Sequence, residues 1–214
     1  MSRHSVNKIQ DTQGDERAAN RHRQILDAAV KAFAEKGFYK TRVSEIARYA
    51  GVADGTIYLY FKSKDDILIS LFEERMEENL RDLAQALEAY DSALEKLRAF
   101  FRLYLSMVDR DPLLAEVLTV ELRQSGKFMR DYDNPAFHKL LKFLSGILEQ
   151  GQSEGDFRSD VDSRVFARAV FGALDEITLW AVLSQRKISL DQAAATLGNI
   201  WLNGLRAPGD TQVD

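Results

Sequence analysis

Cysteine is absent from the 214 residues, so the chain holds neither disulfides nor thiolate metal sites and suits a reducing compartment. Only three prolines interrupt it, and no strand-like alternation or internal repeat appears along its length. Apolar runs are short: none approaches the ~20 residues needed to cross a bilayer, and the N-terminus lacks a signal-peptide core. Histidine is scarce too. His4, His22 and His138 are scattered, with no ligand spacing among them and no Ser/Asp constellation beside His138. Those absences leave little room for catalysis or a metal cofactor. What remains is 45% hydrophobic and 29% charged, the balance of a soluble, mostly helical cytoplasmic protein able to bury a sizeable core.

Neither sign of charge dominates the whole, and the formal net charge is −4. The distribution is uneven. Residues 1–62 hold 11 Lys+Arg and 7 Asp+Glu, while residues 63–214 hold 18 and 26. A basic N-terminal unit can attract phosphate while the acidic remainder stays clear of it.

The most informative stretch is GVADGTIYLYFKSKDDIL, residues 51–68. Gly51 supplies a tight turn between two short helices, because only a residue without Cβ takes a positive φ cheaply. Ile57 and Phe61, one turn apart, face inward, which leaves Thr56, Tyr58 and Tyr60 outward with Lys62 and Lys64 at the exit. Small and hydroxyl-bearing residues approach base edges, whereas Tyr hydroxyls and Lys ammoniums suit phosphates. Thr41, Arg42 and Ser44 open the preceding helix, where side chains and backbone N–H groups reach phosphate, and Asp54 and Gly55 open the reading helix. Arg21 and Arg23 are further backbone candidates.

The segment GFYKTRVSEIARYAGVADGTIYLYFKSKDDIL, residues 37–68, resembles the N-terminal domain of TetR-type bacterial transcription regulators. Gly-Phe, Ile46-Ala47, Ala50-Gly51-Val52, Gly55-Thr56-Ile57-Tyr58, Tyr60-Phe61 and Lys64 carry the resemblance across three elements in fixed register. Ala53 departs from it, since many members have Ser or Thr there, and capping is expected to pass to Asp54. The segments at 52–72, ELRQS at 121–125 and FGxxDE at 171–176 are similar to the FadR branch. That resemblance implies repression of fatty-acid degradation genes through a palindromic operator, with release on binding a long-chain acyl-CoA effector.

Along the chain, residues 1–16 read as a polar, disordered arm, 17–62 as the helix-turn-helix domain, 63–206 as a ligand-binding and dimerisation domain, and 207–214 as a frayed tail. Nine helices are expected in an all-α fold, three in the DNA-reading unit and six in the bundle. Their spans are 20–36, 42–49, 54–61, 63–89, 93–108, 111–125, 134–154, 160–185 and 189–205. Gly37 stops the first, Ser63 caps the fourth, and Pro112 and Pro135 sit at first helical positions.

The last two helices are apolar on more than one face, which marks them as central or covered by a partner. The resemblance implies a homodimer through them, at Phe166, Val170, Ala173, Ile177, Trp180, Leu197, Ile200 and Trp201. For an acyl chain, Leu83, Phe101, Tyr104, Leu105, Val117, Val120, Phe143, Ile147, Phe171 and Leu174 can line a cavity, though each also suits an ordinary packed core. A CoA head needs cations, and Arg102, Arg123, Lys127, Arg130, Lys139 and Lys142 are available. Arg123 either meets the ligand or pairs with Glu121, Asp175 or Glu176. Asp175 and Glu176, set in an apolar helix, pair within the protein or else meet a lipophilic cationic drug, which is the alternative effector. An acyl-CoA-binding enzyme is the alternative of another class, and it lacks a nucleophile–base pair.

Overall fold

Ten α-helices make up the described part of the chain, which in the computed structural model comprises residues 3–131, 133–184 and 188–207. Side chains are described from residue 15 onward, apart from Asp131. The chain divides into two compact units, Met1–Phe72 with Glu121–Asp131, and Glu73–Val120 with Tyr132–Asp214. That division in space differs from the boundary drawn at residue 62, which followed the helix-turn-helix motif alone. An eleven-residue excursion from the second unit, beginning with the ELRQS motif, is part of the first.

In the first unit, α1 (Arg3–Lys36) buries Ile25, Ala29 and Phe33 on one line at four-residue spacing. Its backbone is helical through residues 3–16, which the sequence left as an arm, since helix geometry there needs no apolar stripe. Gly37, at φ +77°, ends α1 and donates its N–H to Phe33 O at 2.8 Å. α2 (Val43–Ala50) buries Ile46, Ala47 and Ala50 and closes on Gly51 at φ +63°. α3 is short, Asp54–Ile57, followed by turns through Tyr60, because its inner face needs only Ile57 and Phe61. Ala53 occupies its cap position without a side-chain bond and Asp54 is already inside the helix, so the expected transfer of capping to Asp54 does not occur. Ser63 does cap α4 (Lys64–Leu87), accepting from Asp66 N at 3.1 Å.

The second unit contains α4 from Glu73 onward, α5 (Ala93–Arg110), α6 (Pro112–Glu116), α8 (Pro135–Glu154), α9 (Ser163–Leu183) and α10 (Leu190–Leu205). Ser92, Asp111, Asn134, Asp162 and Ser189 cap the last five of these through side-chain oxygens. Their core joins Leu83, Leu97, Phe100, Phe101, Leu105, Leu144, Phe166, Val170, Leu174 and Leu202. Between α8 and α9 the chain is pinned to the end of α10, with Arg158 N donating to Leu205 O at 2.8 Å and Ala207 N to Asp156 O at 3.2 Å.

The expected sixth helix is not continuous. It passes from α6 into a π-helical turn, Val117–Glu121, then a 3-10 turn, Leu122–Gln124, and α7 (Gly126–Asp131) follows as a separate helix. Ser125 accepts from Phe128 N at 3.1 Å, supplying the cap that separates the two. This is the source of the tenth helix.

Candidate functional site

The DNA-reading candidates fall into two groups. Exposed on the first unit stand Arg42, Ser44, Asp54, Gly55, Tyr58 and Lys62, with Thr56 and Tyr60 half-buried. Inward-facing Ile57 and Phe61 fix the register of this surface, and His22 stacks on Phe61 at 4.6 Å between centroids. Arg21 is half-buried and donates to Gln24 Oε1 at 2.8 Å, while Arg23 is exposed. Leu59, which the sequence motifs do not mark out, is at 81% the most exposed large apolar side chain among the described residues. Its signal was available: it lies four residues after the side-chain-free Gly55, on the face opposite Ile57 and Phe61.

Thr41 and Lys64 do not belong to that surface. Thr41 is buried, and its hydroxyl donates to Gly37 O at 2.8 Å and Ala32 O at 3.0 Å. Lys64 Nζ donates to Phe38 O, Tyr39 O and Thr41 O at 2.5, 3.1 and 3.0 Å and lies 4.5 Å from the Phe38 ring centroid. Three donors meeting three carbonyls leave the ammonium tied to the turn before α2 rather than offered to phosphate. Partial burial depresses its pKa, an effect that neighbouring Asp65 opposes.

The same turn is held from other directions. Phe38 N donates to the buried Glu121 carboxylate at 2.5 Å, and Gln124 Nε2 reaches the same oxygen at 3.0 Å. Tyr39 OH donates to Gln124 O at 2.8 Å, and Ser125 Oγ to Asp65 Oδ1 at 2.6 Å. Beyond the turn, Arg42 N donates to Glu45 Oε2 at 2.9 Å, and Glu45 is salt-bridged to Lys36. The Lys36 ammonium, helped by that N–H, holds the Glu45 carboxyl below its usual range. ELRQS is thus part of the DNA-reading unit, where Arg123 is exposed.

In the second unit, a cleft of about 810 Å³ opens between α4 and α8. Leu80, Ala84, Leu87, Phe143 and Ile147 form its apolar wall, and Arg81, Lys96, Lys139 and Lys142 stand against Glu77 and Glu88. Lys139 is salt-bridged to Glu77, and that ammonium holds the Glu77 carboxyl below its usual range. Lys96 donates to Gln150 Oε1 at 2.9 Å. Of the expected acyl-chain residues, only Phe143 and Ile147 line this cleft. Leu83, Phe101, Leu105 and Leu174 are packed into the core, with Tyr104 stacked on Phe100 and Phe171 edge-on to Phe137 at 4.7 Å. Val117 is buried, Val120 half-buried, and both lie in the π-helical turn; Asp175 is half-buried on α9. Hydrophobicity marked the interior, not the helix face left open. Among the described residues no group of His, Asp and Glu is placed to hold a metal ion.

The dimer candidates also divide. Phe166 and Val170 are core residues of their own chain, and Trp201 meets Phe166 edge-on at 5.5 Å. Ala173, Ile177 and Leu197 are half-buried, while Trp180 and Ile200 are 54% and 62% exposed.

Comparison with known proteins matches residues 25–71 to the bacterial regulatory proteins of the tetR family, and residues 72–204 to the YsiA-like protein C-terminal region. The fatty acid metabolism regulator protein of Bacillus subtilis (strain 168) is 38% identical over 186 residues, covering 86% of this chain and 95% of the relative. Among solved structures, the transcriptional regulator FadR from Bacillus subtilis in complex with stearoyl-CoA superposes with a TM-score of 0.80 at 38% identity, covering 85% of this chain and 97% of that one. The fatty acid degradation regulator FadR from Bacillus halodurans superposes with a TM-score of 0.80 at 34% identity, over 91% and 97%.

Proposed function

The chain belongs to the TetR family of bacterial transcription regulators, and we propose that it represses fatty-acid degradation genes and leaves its operator on binding a long-chain acyl-CoA. The observation that carries the effector reading is the cleft between α4 and α8. It pairs an apolar wall with four cations against two carboxylates, the chemistry of an acyl chain joined to a polyphosphate head. A solved relative that holds stearoyl-CoA supports the same ligand class. The charge balance also weighs against a lipophilic cation, since Asp175 and Glu176 are not part of the lining.

DNA is met by the outward face of α3 and its exit, Gly55, Thr56, Tyr58, Tyr60 and Lys62, with Arg42 and Ser44 on the flanking backbone. Two such surfaces in a homodimer read a palindrome. Effector must prefer the arrangement that cannot hold DNA, because equal affinity for both shifts nothing.

The test is a titration of the operator complex with long-chain acyl-CoA, free CoA, free fatty acid and a lipophilic cation. Acyl-CoA alone is expected to release DNA. Gly146 lines the cleft, and nothing stands within 4 Å of a Cβ built there, so Gly146→Trp fills the space and is expected to abolish release with operator affinity kept. Release by the cation and not by acyl-CoA overturns the effector assignment.

A further inference from the structure

A second cleft, of about 610 Å³, opens beside α5 and α10 in the second unit, and it shares no lining residue with the cleft between α4 and α8. Large apolar residues of these two helices, Leu97, Phe101 and Leu202 among them, go into the core. Ala99, Ala194 and Ala195 line the cleft instead, and their methyl groups leave its space unfilled. Arg98 and Arg102, one turn apart on α5, also line it, and like charges at that spacing repel. Neither meets a carboxylate. Arg98 has no hydrogen-bond or ion-pair partner among the described residues, and Arg102 donates to the neutral Tyr90 hydroxyl at 2.9 Å. Glu95, three residues before Arg98, accepts from Ser92 Oγ at 3.1 Å rather than from the guanidinium.

Two guanidinium forks at helical spacing suit the several oxygens of one phosphate group. The Tyr90 hydroxyl, which accepts from Arg102, keeps its own proton for an oxygen of the same group. The rest of the lining has a different character. Asp191 and Asn199 stand two turns apart on α10, about 12 Å along its axis, and no described residue bonds to either side chain. The carboxylates of Asp191 and Glu95 accept from hydroxyls, and the Asn199 amide both donates and accepts. Tyr90 is the one aromatic among the described lining residues, so no pair of rings sandwiches a nucleotide base, and three alanines make a poor wall for an acyl chain.

We propose that the cleft beside α5 and α10 is a second small-molecule site, and that it takes a phosphorylated sugar. Arg98, Arg102 and Tyr90 hold the phosphate, while Glu95, Asp191 and Asn199 meet the hydroxyls. The proposal is independent of the acyl-CoA reading, because the two clefts have no residue in common.

The full chain, free of DNA and acyl-CoA, is titrated by calorimetry with glucose 6-phosphate, ribose 5-phosphate, AMP, inorganic phosphate and glucose. At least one sugar phosphate is expected to bind saturably, with inorganic phosphate and glucose each about tenfold weaker or more, since each offers only part of the contacts. Arg98→Gln should weaken the sugar phosphate about tenfold or more and leave operator affinity and the melting curve unchanged, because Arg98 is exposed. Asn199→Ala should weaken the sugar phosphate about threefold or more and leave inorganic phosphate unaffected, a split that loss of fold does not produce. Gly146→Trp, which fills the other cleft, should bind the sugar phosphate as the parent does. Absence of saturable binding by both sugar phosphates at millimolar concentration overturns the proposal, as does binding that Arg98→Gln leaves unchanged. Inorganic phosphate bound as tightly as the sugar phosphates means an adventitious ion only and overturns it too. Loss of binding in Gly146→Trp moves the ligand to the cleft between α4 and α8, and a preference for AMP over both sugar phosphates overturns the sugar assignment.

Discussion

Lys64 shows how far a side chain's chemistry can be read before its neighbours are known. A lysine at the exit of a reading helix suits a phosphate, yet its ammonium is spent on three carbonyls of the 38–41 turn. No spacing rule joins position 64 to positions 38–41, so this partnership was invisible in the sequence. Lys64→Met keeps the stem and removes the donors, and it is expected to destabilise the head by about 1–3 kcal/mol in thermal or denaturant unfolding. The salt slope of operator binding should stay within error of the parent. A slope reduced by about one unit instead restores the phosphate role. Leu59 is the converse case, an exposed apolar side chain on the face proposed to read DNA. Apolar groups in a major groove meet the thymine methyl. In operators where each thymine is replaced in turn by uracil, one position per half-site is expected to cost the parent roughly fourfold, the equivalent of one buried methyl. Leu59→Ala should be indifferent to that replacement, and equal sensitivity removes Leu59 from base reading.

At the scale of elements, helix ends were the legible part. Ser63, Asp111-Pro112, Asn134-Pro135, Gly155 and Ser189 mark real boundaries because caps and prolines act within one turn of sequence. The break at 117–126 was not legible, since a π-turn and a 3-10 turn satisfy the same apolar pattern as one continuous helix. Nor was the open face of α8, because half-buried Phe143 looks no different in sequence from the core residues Leu140 and Leu144. The start of α9 yields a pH-dependent expectation. Asp162 is paired with the Arg164 guanidinium and accepts from Val165 N at 3.2 Å and Arg164 N at 2.8 Å. The guanidinium first, then those N–H groups, hold its carboxyl well below the usual range. A depressed carboxyl stabilises the fold above its unfolded pKa, about 4, and that contribution fades as pH falls toward the folded value. Asp162→Asn should therefore melt below the parent at pH 7, with the gap narrowing steadily below pH ~4. A gap that is constant across that range assigns the effect to geometry rather than charge.

For the whole molecule, the question is what covers α9 and α10. Val165, Trp180 and Leu183 are exposed on α9, and the exposed positions 165, 169, 172, 176, 180 and 183 recur at intervals of three and four. That recurrence is one helical stripe, about 27 Å long. Ala169 and Gly172 in its middle let another helix approach closely, and Ile200 adds an apolar position on α10. In the homodimer proposed above such a stripe meets its own copy, so each substitution acts twice across the axis. The apolar pattern and the family resemblance together named Phe166 and Val170 beside Trp180 and Ile200, because neither tells the face turned to the chain's own core from the face turned outward. The two pairs now serve as each other's control. Trp180→Glu and Ile200→Arg are expected to bring the sedimenting mass to that of one chain with the fold intact. Operator affinity should then fall steeply, since reading two half-sites ~34–36 Å apart needs both heads on one particle. Val170→Ala, by contrast, should lower the melting temperature through a core cavity and leave the sedimenting mass unchanged. A particle that keeps twice the chain mass in the Trp180→Glu, Ile200→Arg double variant places the interface on another face of the molecule.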